Sequence, residues 1–144
     1  MPTLQLKISP PVPDAVQSAL ARELTELSAR ILAKRPEVTA LMIEELPLTH
    51  WYIGATPGQQ ATAWLEISVT AGTNSSAQKA AFIAAAFAAL QHHLGAGRPL
   101  APASYVIVRE LPAGDWGYAG RTQARRQQAR PAVPRVRTSG EVVE

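Results

Sequence analysis

Cysteine is missing from the chain altogether. Its absence excludes disulfides and thiolate-ligated metal sites and is compatible with a cytoplasmic location. Long apolar runs are missing too. The longest, Ala80 to Leu90, is far shorter than the roughly 20 residues that cross a bilayer, so no membrane partner is expected. The opening Met1-Pro2-Thr3-Leu4 has no basic segment followed by an apolar stretch, which predicts no secretory signal. Charge is sparse at 17% against 47% hydrophobic residues, a balance that excludes a disordered chain and suits one globular domain. Histidine is limited to His50, His92 and His93. The adjacent pair projects from different helix faces, and no carboxylate-histidine spacing accompanies it, so no metal is expected.

The net charge of +3 is concentrated at one end. Arg121, Arg125, Arg126, Arg130, Arg135 and Arg137 all fall in a C-terminal extension among Gln, Ala and Pro, and without them the body is not basic. A basic extension with no recognised binding motif reads as a solvated tail, flexible or packed on a neighbouring subunit, and nucleic acid is not an expected partner.

The remainder reads as one unit written twice. Leu4, Leu6 and Ile8 alternate with Gln5 and Lys7, the period of a half-buried strand. Pro10, Pro11 and Pro13 break that pattern, and Pro13 can open a helix. From Asp14 to Lys34, Val16, Leu20, Leu24, Leu27 and Ile31 recur at helical spacing until Arg35-Pro36 ends the helix. Val38 to Leu46 reads as a second strand and Pro47 to Gly58 as a loop. The second half repeats the plan. Leu65, Ile67 and Val69 form a third strand, and Ser75 with Gln78 makes a capping box before a helix from Ala77 to Leu94, which Gly95 stops. Tyr105 to Leu111 is a fourth strand whose run Tyr105-Val106-Ile107-Val108 suggests burial on both faces. After each closing strand comes the same signature, Glu45-Leu46-Pro47 followed by Trp51 and Glu110-Leu111-Pro112 followed by Trp116, at identical spacing.

Two β-α-β repeats, residues 2–58 and 62–120, therefore predict an α+β fold: a four-stranded sheet with both helices on one face, forming a single domain over residues 1–120 with a tail at 121–144. Ile67, Val69, Val106 and Val108 leave little polar surface for the uncovered sheet face. An exposed apolar face needs a partner, which predicts a homo-oligomer, with a trimer favoured.

Over residues 2 to 121 these features resemble the tautomerase superfamily, which includes 4-oxalocrotonate tautomerase and macrophage migration inhibitory factor. The resemblance rests on Pro2 opening the first strand, on the duplicated plan, on His50-Trp51-Tyr52-Ile53-Gly54 and on Asp115-Trp116-Gly117-Tyr118-Ala119-Gly120. The length is similar to the fused, trimeric members. It implies a small isomerase that needs no cofactor, whose catalytic group is the amine of Pro2 freed by removal of Met1, with Ala63 at the corresponding place in the second repeat. Proline in second position permits that removal. An α-amino group titrates at about 7.7–8.0, and desolvation or a nearby cation favours its neutral, basic form.

The resemblance also implies a substrate-binding set. Lys34 is similar in position to a pocket lysine, or is a helix-end cation favoured by the dipole. Tyr105 resembles a pocket tyrosine contributed by a neighbouring subunit, or is an aromatic packing residue with its hydroxyl at the surface. Trp116 and Trp51 wall the pocket or pack an interface, and Arg109, sharing a strand face with Tyr105 and Ile107, clamps a carboxylate or is an exposed edge charge. Arginines that bind dicarboxylates in the family are replaced by Val12 and Ala40, and in the second repeat by Thr73 and Tyr105. A monoanionic or neutral carbonyl substrate follows, with keto–enol interconversion of a small 2-oxo acid as the expected reaction. The alternative is a non-catalytic binding or scaffold protein on the same fold. A weaker option is a nucleic-acid accessory role through the tail.

Overall fold

In a computed structural model that describes residues 1–129, the alternating N-terminal segment is strand β1 (Thr3–Ser9), with Leu4, Leu6 and Ile8 buried and Gln5 exposed. Helix α1 (Asp14–Leu32) follows with Pro13 as its N-cap residue, where a missing N–H costs nothing. It buries Leu20, Leu24, Leu27 and Leu32. The helix stops earlier than Arg35-Pro36 would require, because Ala33 turns left-handed (φ 57°) and the Lys34 amide donates back to the Ser28 carbonyl at 3.2 Å. Pro36–Val38 forms a 3₁₀ turn, so strand β2 (Ala40–Glu45) begins after Val38 instead of at it.

Between β2 and the second repeat, the expected loop contains structure of its own. A 3₁₀ turn (Leu48–His50) leads into a hairpin of β3 (Tyr52–Ile53) and β4 (Thr56–Pro57). Gly54 (φ 58°) and Ala55 (φ 61°) form its turn, both left-handed as the type I′ geometry of tight hairpins requires. Strand β5 (Thr62–Thr70) and helix α2 (Ser76–Leu94) come next. Both halves of the expected capping box are present: Gln78 N–H donates to Ser75 Oγ (3.1 Å) and Ser75 N–H to Gln78 Oε1 (2.9 Å). Gly95 is the C-cap residue of α2, at a position where any Cβ would collide with the carbonyl oxygens of Arg98 and Gln91. Strand β6 (Tyr105–Leu111) completes the repeat.

The main sheet has the order β2-β1-β5-β6, parallel within each repeat and antiparallel where β1 meets β5. Thr3 pairs with Ala40 in the first repeat and Trp64 with Tyr105 in the second, so Pro2 and Ala63 each sit one residue before an equivalent point. Leu4, Leu6, Ile8, Leu65, Ile67 and Val69 form one continuous core with Leu20, Leu24, Phe82 and Leu90 of the two helices.

Ile67, Val69, Val106 and Val108 all lie on the helix side of the sheet, since Val106 pairs with Leu65 and Val108 with Ile67. The uncovered side is mixed by strict alternation: Thr3, Gln5, Lys7, Glu66, Ser68 and Arg109 share it with Met42, Trp64, Tyr105 and Ile107. Strand β6 is not buried on both sides. It is an edge strand, with Tyr105 59% exposed and Val106, Ile107 and Val108 half-buried.

The described chain divides into two compact units, Met1–Pro112 and a second starting at Ala113. Within the second, β7 (Gly117–Tyr118) and β8 (Arg121–Thr122) form a hairpin whose turn residues, Ala119 (φ 51°) and Gly120 (φ 76°), repeat the geometry of Gly54-Ala55. Helix α3 (Gln123–Ala129) follows, and Arg126 stacks 3.6 Å from the Tyr118 ring while donating to the Tyr118 carbonyl at 3.0 Å. Arg121, Arg125 and Arg126 thus belong to this hairpin and helix, whereas Arg130, Arg135 and Arg137 lie outside the described residues.

Candidate functional site

Pro2 is buried at the start of β1, and its carbonyl accepts the Ala40 N–H at 3.3 Å. Carrying the antiparallel register one residue past the Thr3–Ser68 pair sets Pro2 opposite Val69, which is 1% exposed. The chain therefore begins at the end of the sheet where β5 and β6 finish and β2 starts. The C-terminus of α1 converges on the same end. Lys34 Nζ donates to Thr73 Oγ1 at 2.9 Å, and Thr73 Oγ1 donates to the Thr70 carbonyl at 2.6 Å, at the C-terminus of β5. Asn74 Nδ2 donates to the Leu32 carbonyl at 2.9 Å, satisfying an orphan acceptor of the α1 terminus. Arg109 is one row in from this end, beside Ser68, which itself faces Thr3. Its guanidinium lies 3.7 Å from Glu66 and is largely exposed.

Tyr105 and Trp51 are elsewhere. Tyr105 pairs with Trp64, and Trp64 with Lys7, so Tyr105 stands about 17 Å along the sheet from Pro2 at about 3.3 Å per residue. Within one chain the two cannot meet on one small substrate. Trp51 follows β2, whose last residue, Glu45, pairs with Ile8 at that same far end. There it lines a cavity of about 280 Å³ with Lys7, Leu46, His50, Tyr52 and Trp64. Trp116 belongs to the second unit, where it lines a cavity of about 310 Å³ with Asp115, Gly117, Arg121 and Thr122. Its carbonyl accepts the Gln123 N–H at 2.9 Å.

The structure thus puts Pro2, Lys34 and Arg109 at one sheet end, with Arg109 on the open face and Pro2 at a helix-side position, and sends Trp51 and Tyr105 to the other. Sequence reasoning missed Thr73 as the anchor of Lys34 and missed Lys7 and Trp64 as cavity walls. A Trp at a solvent-parity position of β5, in line with Glu66 and Ser68, was the available signal for Trp64. His93 serves neither end: its Nε2 lies 2.5 Å from Glu23 Oε2 and ties α2 to α1.

No protein-family model and no curated protein matches the chain. Solved structures do. The chain is similar to a wild-type fused 4-OT determined as an asymmetric trimer, at 24% identity and a TM-score of 0.76 over 89% of this chain and 99% of that one. It is also similar to a native fused 4-OT, at 25% identity and a TM-score of 0.72 over 85% and 97% of the two chains. Macrophage migration inhibitory factor of Toxoplasma gondii aligns at 18% identity and a TM-score of 0.68 over 83% and 98%. Both repeats, and nearly the full length of each neighbour, take part in the likeness.

Proposed function

We propose that this chain, which has the two-repeat fold of the fused 4-OT members of the tautomerase superfamily, is a cofactor-independent tautomerase acting on a small 2-oxo acid or related carbonyl compound. The observation that carries the proposal is the placement of Pro2. It is buried at the head of β1, at the sheet end where Lys34 is anchored to Thr73. Once Met1 is removed, a secondary amine held rigid by its ring stands at that point. The neutral amine takes the enol O–H proton and delivers it to carbon, leaving the ketone; the reverse path uses the same group as base toward carbon. Nothing is added or lost, so no cofactor is required.

Lys34 offers an ammonium to a substrate carboxylate or developing enolate oxygen. Tyr105 orients an oxygen only from a neighbouring subunit, given its distance along the sheet from Pro2. A homotrimer supplies that neighbour, and fused 4-OT structures similar to this chain are trimers. Among the described residues no helix is long and apolar enough to cross a membrane, which is compatible with a cytoplasmic enzyme.

Pro2→Ala tests the proposal. Enol–ketone interconversion of a 2-oxo acid is expected to fall at least a hundredfold with circular dichroism and oligomer mass unchanged. Undiminished activity removes Pro2 from the chemistry. Intact-mass measurement separates the rival reading, a non-catalytic binding protein on this fold: that reading is compatible with a retained Met1, whereas the enzyme requires its loss.

A further inference from the structure

The antiparallel β1/β5 contact relates the two repeats by a pseudo-twofold, so the sheet has two comparable ends. Only one of them has Pro2 at its head. At the other, the residue equivalent to Pro2 is Ala63, and its nitrogen is an amide that donates to Ser104 Oγ at 3.2 Å. That end has no α-amine at the position equivalent to Pro2. It nonetheless keeps a cavity of about 280 Å³, close to the lower limit of roughly 300 Å³ for small-molecule sites.

The walls of this cavity differ from those of the amine end in a consistent direction. Where the amine end has Thr3 and Ser68 on the open face, the second end has Trp64 and Lys7. Trp51, Trp64 and Tyr52 provide aromatic surfaces, Leu46 an apolar floor, and Lys7 and His50 the ionisable groups; no carboxylate lines it. The Lys7 ammonium sits 5.4 Å from the centre of the Trp64 ring and forms no ion pair among the described residues. An aromatic wall with a cation at its edge suits a flat conjugated ligand carrying one negative charge, with the ring on the indoles and the carboxylate on Lys7.

We propose that the cavity lined by Lys7, Leu46, His50, Trp51, Tyr52 and Trp64 is a second, binding-only site of the chain for a planar aromatic monocarboxylate. It works without the Pro2 amine, so it stands or falls separately from the tautomerase reading.

The test uses trans-cinnamate as probe on the full-length protein, followed through the indole N–H resonances of the three tryptophans, assigned by single Trp→Phe variants. Saturable shifts at Trp51 and Trp64 are expected. Lys7→Gln should weaken binding about tenfold, uncharged cinnamamide should lose a similar factor against the wild type, and Pro2→Ala should leave the dissociation constant within twofold. Trp51→Phe with wild-type circular dichroism provides an independent wall variant should Lys7→Gln disturb the fold, and it should weaken binding severalfold. No saturable shift at Trp51 or Trp64, or affinity that depends on Pro2 and ignores Lys7, overturns the proposal.

Discussion

Replacing Thr73 by valine keeps the shape of the side chain and removes a single hydroxyl. That hydroxyl donates to the Thr70 carbonyl at 2.6 Å and accepts from Lys34 Nζ at 2.9 Å. A net hydrogen bond contributes about 0.5–1.5 kcal/mol. The Lys34 bond deserves the lower figure, because Thr73 is exposed and water replaces it as acceptor. The total is then about 1 kcal/mol, a fall of about 4 °C in melting temperature for a domain of this size. The effect on chemistry should be larger in proportion. If Lys34 faces the substrate, releasing it from Thr73 should lower kcat/KM for a 2-oxo acid about tenfold, or about 1.4 kcal/mol of transition-state stabilisation. Thr73→Ser should restore most of that loss, and Lys34→Met should match or exceed it. A thermal melt and an ultraviolet assay of enol consumption read both effects. Thr73→Val that melts as expected yet retains full kcat/KM refutes the positioning of Lys34 by this loop.

Ser75→Ala removes the side-chain half of the α2 capping box and should cost about 1 kcal/mol in denaturant unfolding, whereas Ser75→Gly should cost only a few tenths. Phe82→Ala should destabilise by about 3–5 kcal/mol, since Phe82 is 0% exposed in the shared core. The Lys79 ammonium, hydrogen-bonded to Glu110, holds that carboxyl below the usual glutamate range. Its stabilising contribution is therefore present above the ordinary glutamate value and is lost as pH falls through the lowered folded-state value. Lys79→Met should flatten that acid limb of stability, as measured by urea melts between neutral pH and pH 3; an unchanged limb would show that the pair contributes nothing.

The fold was legible wherever one residue decided one local conformation. Leu4-Leu6-Ile8 wrote its own strand, and Ser75 with Gln78 its own helix start. The sequence carries the strand Tyr105–Leu111 but not its burial, because an unbroken run of apolar residues hides the two-residue period. Whether such a strand is central or at an edge depends on the order β2-β1-β5-β6, which no local window contains. The paired hairpins do have a local signal: Gly54-Ala55 and Ala119-Gly120 each place a glycine beside alanine at the same distance after a tryptophan, where two left-handed residues are required. Pro2 stands out in the sequence by its position alone, as the residue proposed to carry the chemistry. The grouping of its companions does not, since Lys34 reaches the Pro2 end through Thr73, 39 residues away in sequence.

Duplication explains why the two sheet ends should diverge. A proline can be a catalytic amine only where the chain begins, so a fused pair of repeats has one amine-bearing end whatever its internal symmetry. The residue at the equivalent place in the second repeat is necessarily an amide, and here Ala63 spends its N–H on Ser104. The open-face residues around that amide are then released from any requirement of proton transfer, which is where Trp64 and Lys7 replace the small hydroxyls Thr3 and Ser68. Tyr105 occupies the β6 position equivalent to Ala40 and stands at that released end too. Its service to Pro2 is consequently a question of assembly. If Tyr105→Phe leaves a trimer's kcat/KM unchanged, the tyrosine belongs to the binding end alone, and the amine site is built without it.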